Sequence, residues 1–232
     1  EEGQVYFNTQ VWSVISEAAT PEQAQKAMNT VKEKLATPYG LMLCAPPFEK
    51  TTVDVMRAVV FNKGIKENAG IFNHTQGWGI IAETMLGNGD RAYEYCKAAL
   101  PAAYNDKAEI RQAEPYVQCQ TTYSVYSPRP GNARVSWLSG AAAWSYYSLT
   151  QYLLGIRPVY EGLMIDPCIP STWDGFEAER EFRGCTVKIK VENPKHLCKG
   201  VKSLTINGKT VDGNVILADN LTKETTVIAV IG

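Results

Sequence analysis

The sequence predicts an α+β chain in two parts, helical over residues 1–157 and an antiparallel β-domain over residues 158–232. Two patterns carry this expectation. Up to Arg157, apolar residues return every three or four positions, as on one face of a helix. Beyond it the runs are short, β-branched and alternating, with turn residues between them.

The elements follow in order. A first helix is expected from Thr9 to Ala18, with Val11, Trp12, Val14 and Ile15 facing inward. In "TPEQAQKAMNTVKEKL", Thr20 is the N-cap, Pro21 takes the first helical position and Gln23 can complete a capping box. Ala24, Met28, Val31 and Leu35 then share one face. The next helix spans Thr75 to Leu86 and stops at "GNG". "DRAYEYCKAAL" follows, capped by Asp90 and ended at Pro101. "SGAAAWSYYSLTQYLLG", residues 139–155, is apolar nearly all round, so a deeply buried helix is expected, with Gly155 as its stop. "VKIKVEN", "VKSLTING", "NVILADN" and "TTVIAVIG" read as strands, and Asn207-Gly208 is a strong hairpin signal. Two long irregular stretches, "APPFEKTTVDV" and "AEPYVQCQTTYSVYSPRPGNAR", are of the length that usually serves function.

Composition excludes several classes. The chain has 232 residues and is 45% hydrophobic, enough for a sizeable core. A net charge of −1 gives no electrostatic case for nucleic acid or an anionic membrane. No apolar run approaches the roughly 20 residues of a membrane helix, so no membrane partner is expected. The six cysteines form no C-x-x-C pair and are too dilute for a disulfide framework, which reads as free thiols in a cytoplasmic protein. No metal-ligand spacing is present, so neither metal nor cofactor is expected. The start, "EEGQVYFN", has no signal-peptide pattern and no initiator Met, which suggests a fragment or a processed chain.

The candidate site residues centre on one of only two histidines, in "IFNHTQGWG". His74 sits at an expected helix start, where unpaired N–H groups attract anions, and its imidazole can give one more N–H. The bland alternative is a core histidine bonded to a neighbouring carbonyl. In "RVSWLSGAAAW", Ser139 and Gly140 open the buried helix. The hydroxyl can donate, and the missing Cβ lets a ligand approach the backbone. The alternative there is an ordinary Ser N-cap before a tightly packed small-residue face. Lys66, Glu67 and Asn68 form a polar cluster in a loop, suited to sugar hydroxyls or simply to solvent. Glu114, Tyr116, Gln118 and Gln120 alternate along "EPYVQCQ", and amides and carboxylates beside aromatic faces suit a sugar.

"IKENAGIFNHTQGW", "AEPYVQCQ", "SWLSGAAAWSYYSLTQYLLGIRP" and "GLMIDPCIPSTW" resemble, in this order, the C-terminal part of cellobiose phosphorylase and related inverting β-disaccharide and β-oligosaccharide phosphorylases. The likeness runs from about residue 5 to 185. It implies the C-terminal helices of an (α/α)6 catalytic barrel followed by a jelly-roll-like β-sandwich. It implies cleavage of a β-linked disaccharide, cellobiose first, by inorganic phosphate as co-substrate, giving α-glucose 1-phosphate and glucose. His74, Ser139 and Gly140 fall on the family's phosphate ligands, and Lys66, Glu67 and Gln120 on its sugar contacts. Ser139 stands where Thr is commoner, and Phe61 where some members carry a sugar-contacting Tyr. The family's general-acid Asp lies upstream of the matching stretch, so no catalytic residue is expected within this chain. The missing N-terminal part of the enzyme is then its partner, and the complete protein is expected to be a homodimer. Two other readings compete. One is an inverting hydrolase on the same barrel, with Glu67 or Glu114 as base. The other is a non-catalytic sugar-binding fragment.

Overall fold

The computed structural model describes residues 1–232. The chain is α+β with five sheets, and it divides into two compact units. One comprises Glu1–Leu86 with Glu94–Ser148, the other Gly87–Tyr93 with Leu149–Gly232.

In the first unit, α1 (Phe7–Ile15) buries Phe7, Val11 and Val14. Trp12, expected to face inward, is instead exposed. It lies one residue, about 100° of helix, away from that stripe. α2 (Pro21–Lys34) carries the expected capping box. Gln23 N–H donates to Thr20 Oγ1 at 3.3 Å and Thr20 N–H to Gln23 Oε1 at 2.9 Å. Such a cap stabilises by about 1 kcal/mol. Ala24, Met28, Val31 and Leu35 are all buried, as their spacing requires. The two-residue strands β1 (Val5–Tyr6), β2 (Ala36–Thr37), β3 (Gly40–Leu41) and β4 (Cys44–Ala45) pair β1 with β4 and β2 with β3.

The stretch "AEPYVQCQTTYSVYSPRPGNAR", expected to be irregular, holds one strand and the start of another of a three-stranded sheet, β5 (Ile71–Phe72), β6 (Cys119–Thr122) and β7 (Ala133–Ser136), in the order β5-β6-β7. Both outer strands run antiparallel to β6 and therefore parallel to each other. β5 passes directly into α3 (Asn73–Met85). α4 (Gly89–Ala99) and α5 (Ala108–Arg111) precede β6, and α6 (Ser139–Ser148) follows β7.

Two expectations for these helices fail. α6 is not deeply buried within this chain: Ala141 and Ser148 are, but Ser139, Gly140, Ala142, Ala143 and Tyr146 are exposed. Apolar composition says that a helix can be covered on every side. Here α3 packs along one of them, at Gly77, where an added Cβ would lie 2.8 Å from the Trp144 carbonyl oxygen. Asp90 is not a cap. α4 begins at Gly89, and the Asp90 carboxylate accepts from the backbone N–H and hydroxyl of Ser171, at 2.7 and 3.0 Å.

The second unit holds two sheets. β8 (Ile156–Pro158), β9 (Gly162–Ile165) and β14 (Val215–Leu217) form one, in the order β14-β9-β8. The other comprises β10 (Gly175–Phe182), β11 (Cys185–Glu192), β12 (Val201–Ile206), β13 (Lys209–Val211) and β15 (Glu224–Ile231), in the order β10-β11-β15-β12-β13. One hydrophobic core draws on both sheets, with Leu163, Ile165 and Ile216 from the first and Val187, Ile189, Leu204, Val227 and Ile231 from the second. Asn207 and Gly208, with φ of 47° and 80°, turn β12 into β13 as a two-residue hairpin demands. The larger sheet is mixed and not antiparallel throughout, because β15 pairs in parallel with β11. Alternation fixes which face a residue takes and is blind to strand direction. The connection from β11 to β15 passes through three other strands, ample for a parallel return.

Candidate functional site

The small sheet of the first unit gathers the candidate anion donors. Phe72 pairs with Thr121, which pairs on its other side with Arg134, and Cys119 pairs with Ser136. β5 and β7 therefore leave the sheet at the same end, the end where β6 begins. α3 starts there at Asn73, and α6 starts there after a two-residue link. Gln120 is half-buried on β6 at this end. It shares a face with Thr122, whose hydroxyl donates to Asn73 Oδ1 at 3.1 Å. Strand register thus brings His74, Gln120, Ser139 and Gly140 to one edge.

α3 opens with no side-chain cap on its first N–H groups. His74 is half-buried, and neither ring nitrogen makes a hydrogen bond to the protein. Its ring meets Phe72 and Trp78 edge-on, at centroid distances of 5.6 and 5.3 Å. Burial lowers its pKa from the ordinary histidine value, favouring the neutral ring with one donor and one acceptor. A core histidine tied to a carbonyl is not what this arrangement shows. The nearby amide of Gln76 is structural. Its Oε1 accepts from Leu41 N–H at 2.7 Å, and its Nε2 donates to the Leu41 and Phe72 carbonyls.

Ser139 is not an ordinary N-cap. Ala142 N–H donates to the Leu138 carbonyl, so Leu138 occupies the cap and Ser139 the first helical turn. The Ser139 hydroxyl makes no bond within the protein. A Cβ added at Gly140 would meet nothing within 4 Å, so packing within this chain does not require a glycine there. Just before this turn, Val135 and Trp137 hold φ of 55° and 67°. A β-branched residue in that region is strained, and such strain concentrates where function needs a particular backbone.

Lys66 and Glu67 enter β5 from its other end, but β5 is two residues long, roughly 7 Å. Their loop is tightly made. Lys66 and Ala69 have φ of 46° and 60°, and a Cβ at Gly70 would lie 2.4 Å from Lys66 N. Asn68 is a buried staple, exchanging bonds with Phe48 and donating to the Phe61 carbonyl. Its neighbours are thereby turned outward: Glu67 is exposed, and Lys66 Nζ lies 5.4 Å from the centroid of the Phe61 ring. Phe61 also lines a groove of about 410 Å³ with Phe48, Asn62, Lys63 and Tyr126. A cavity of about 570 Å³ bounded by Lys32, Glu94, Lys97 and Tyr104 shares none of the candidate residues.

Residues 1–155 match the family model described as "Glycosyl hydrolase 94 superfamily, catalytic domain". The chain belongs to this family. It is 42% identical over 215 residues to N,N'-diacetylchitobiose phosphorylase of Vibrio proteolyticus and 41% identical over 212 residues to that of Vibrio furnissii. Solabiose phosphorylase of Paenibacillus borealis is 33% identical over 224 residues. These alignments cover 93, 91 and 96% of the chain, but it spans only 27, 26 and 29% of the relatives. No helix is long and apolar enough to cross a membrane.

Three features of this glycosyl hydrolase 94 chain were not foreseen from its residues. Arg111, buried, donates to the carbonyls of Glu114 and Val117 and so shapes the segment leading to Gln120. Trp137 donates its indole N–H to Glu114 Oε1 at 2.9 Å and packs edge-on against Tyr116. Bonds from the Glu114 backbone N–H and from Trp137 hold that carboxyl below the usual range. Trp78, in contact with His74, is the third. Only the i,i+4 spacing of His74 and Trp78 was visible beforehand.

Proposed function

We propose that this chain is the C-terminal portion of an inverting glycoside phosphorylase and carries the phosphate-binding half of its site. The observation that carries the proposal is His74: half-buried at an uncapped helix start, with both ring nitrogens unclaimed by the protein. His74, the Ser139 hydroxyl and the N–H groups around Gly140 hold a phosphate dianion. Lys66, Glu67 and Gln120 contact the sugar. In an inverting hydrolase a carboxylate base activates water. Phosphate is already a nucleophile, so the protein's part on that side is to bind and orient it by preorganised donors. The proton donor is assigned to a part of the longer protein outside these residues, consistent with the 27% of the relative that the chain spans. The helical part belongs to an (α/α)6 barrel and the β part to a sandwich, a reading supported by the core common to both sheets of the second unit.

The substrate is a β-linked disaccharide. Cellobiose, suggested by the sequence resemblance, yields first place to N,N'-diacetylchitobiose, the sugar named in two relatives above 40% identity. The hydrolase reading loses support at Glu114, whose carboxylate is engaged by Trp137 and held at a low pKa, unlike a poised general base.

The test is cleavage of N,N'-diacetylchitobiose and of cellobiose by the complete protein, with and without inorganic phosphate. Sugar 1-phosphate forms only when phosphate is present. Equal release of reducing sugar in phosphate-free buffer would establish the hydrolase instead.

A further inference from the structure

The His74 ring lacks the usual device for fixing an imidazole. Functional histidines are commonly aimed by a hydrogen bond from the second ring nitrogen to a carbonyl or carboxylate. Here no such bond exists, and the ring is bounded by aromatic edges. Trp78, one turn along α3, meets it at 5.3 Å and 83°. Trp78 is in turn held by two more indoles, Trp12 of α1 at 5.4 Å and Trp144 of α6 at 5.7 Å. Trp144 continues to Tyr147 at 5.7 Å. A chain of edge-to-face contacts thus runs from His74 into α6, the helix that starts with Ser139 and Gly140.

The indole of Trp78 is unusual in a second way. Its buried Nε1 has no hydrogen-bond partner, whereas a buried tryptophan N–H normally finds one. The specific contacts of this side chain are its rings, and edge-to-face pairs are directional. They resist rotation of either ring about its side-chain torsions. Gly77 reinforces the arrangement by letting the α6 backbone approach at Trp144.

We propose that Trp78 is a positioning residue for phosphate: it clamps the His74 imidazole edge-on, fixes the direction of its N–H, and ties that direction to α6 through Trp144. This rests on the reading of His74 as a phosphate ligand. A ring free to turn would still donate, but would lose its alignment with the Ser139–Gly140 turn.

The experiment uses the complete phosphorylase with Trp78→Phe, Trp78→Leu, His74→Ala and the double variant His74→Ala/Trp78→Phe. Phenylalanine loses no hydrogen bond, since the indole makes none, and so serves as the variant that folds. Saturation with inorganic phosphate and with disaccharide is measured on each, with melting temperature alongside. Trp78→Leu is expected to raise the KM for phosphate about three- to tenfold, and Trp78→Phe by less, with disaccharide KM within about twofold. In the His74→Ala background, Trp78→Phe should add nothing to the phosphate KM. A general structural role would instead lower stability, move both KM values together, and persist without His74. Unchanged phosphate saturation in both Trp78 variants, beside a weakened His74→Ala, overturns the clamp alone. Unchanged saturation in His74→Ala overturns the phosphate-ligand reading and the clamp with it.

Discussion

α3 and α6 begin at the same end of one small sheet, and each carries a glycine in its first half. The two glycines are there for opposite reasons. At Gly77 a Cβ would press on the backbone of Trp144 at 2.8 Å, whereas at Gly140 it would touch nothing within 4 Å. The helices around them differ in the same sense. α3 is buried along most of its length, while α6 is exposed at Ser139, Gly140, Ala142 and Ala143. A glycine demanded by packing is explained by the fold. A glycine that packing within this chain does not demand leaves room for another explanation, and a ligand approaching the backbone is the one the proposed phosphate site supplies.

The largest effect that sharpens this comparison is on His74, at the start of the buried helix. On the proposed reading, His74→Ala in the complete protein removes a donor to the phosphate dianion. A lost charge-assisted hydrogen bond costs roughly 1.5–3 kcal/mol, so phosphate affinity should fall about tenfold to hundredfold while disaccharide binding changes little. Phosphate titration of the variant checks this.

The glycines come next and should move in opposite directions. Gly77→Ala forces α3 and α6 apart and should cost about 1–3 kcal/mol of stability, read as a lower melting temperature. Gly140→Ala meets no clash within this chain and gains helix propensity, so the stability of the chain should rise by up to about 1 kcal/mol. If Gly140 belongs to the proposed phosphate site, phosphate affinity should nevertheless fall, because the methyl group would stand in the anion's path. If Gly140→Ala leaves phosphate saturation unchanged, the site reading of that glycine is wrong. Ser139→Ala should cost less than His74→Ala, because the helix N–H groups remain. Ser139→Thr keeps the hydroxyl and should be nearly silent.

Much of this was legible in the sequence, and the illegible part has definite causes. The α2 capping box and the Asn207-Gly208 turn were readable because each is a local arrangement of neighbouring residues. The residue types at His74, Ser139 and Gly140 were readable too. Their convergence was not, because it depends on β5 and β7 flanking β6. Those strands are two and four residues long and pair across gaps of about fifty and fifteen residues, too short and too distant for alternation to register. The parallel pairing of β15 with β11 and the exposure of α6 were hidden for a related reason. Both depend on which element lies next door, and composition does not carry that.

The smallest expected effect concerns acid. Burial lowers the His74 pKa in the folded protein below its unfolded value, near 6.5. Between those two values the unfolded chain binds more protons, so stability rises with pH through that window. It is fully present above about pH 6.5 and declines as pH falls toward the folded value. Another group acts in a lower range. The Glu2 carboxylate is held at about 2, first by the Thr51 hydroxyl and then by backbone N–H groups of residues 49–51. Its contribution is present above the unfolded carboxylate value and is lost only as pH falls toward 2. The His74 contribution begins to fall at a higher pH than that of Glu2, so melting temperatures taken from about pH 8 to about pH 3 meet the two in turn. His74→Gln should flatten the curve just below about pH 6.5 and leave the fall toward pH 2 intact, whereas Glu2→Gln should do the reverse. If His74→Gln leaves the upper part of the curve as steep as before, the half-buried neutral imidazole is not what the folded chain contains. The contrast between a half-buried ring beside Trp78 and an open turn at Gly140 would then have to be redrawn.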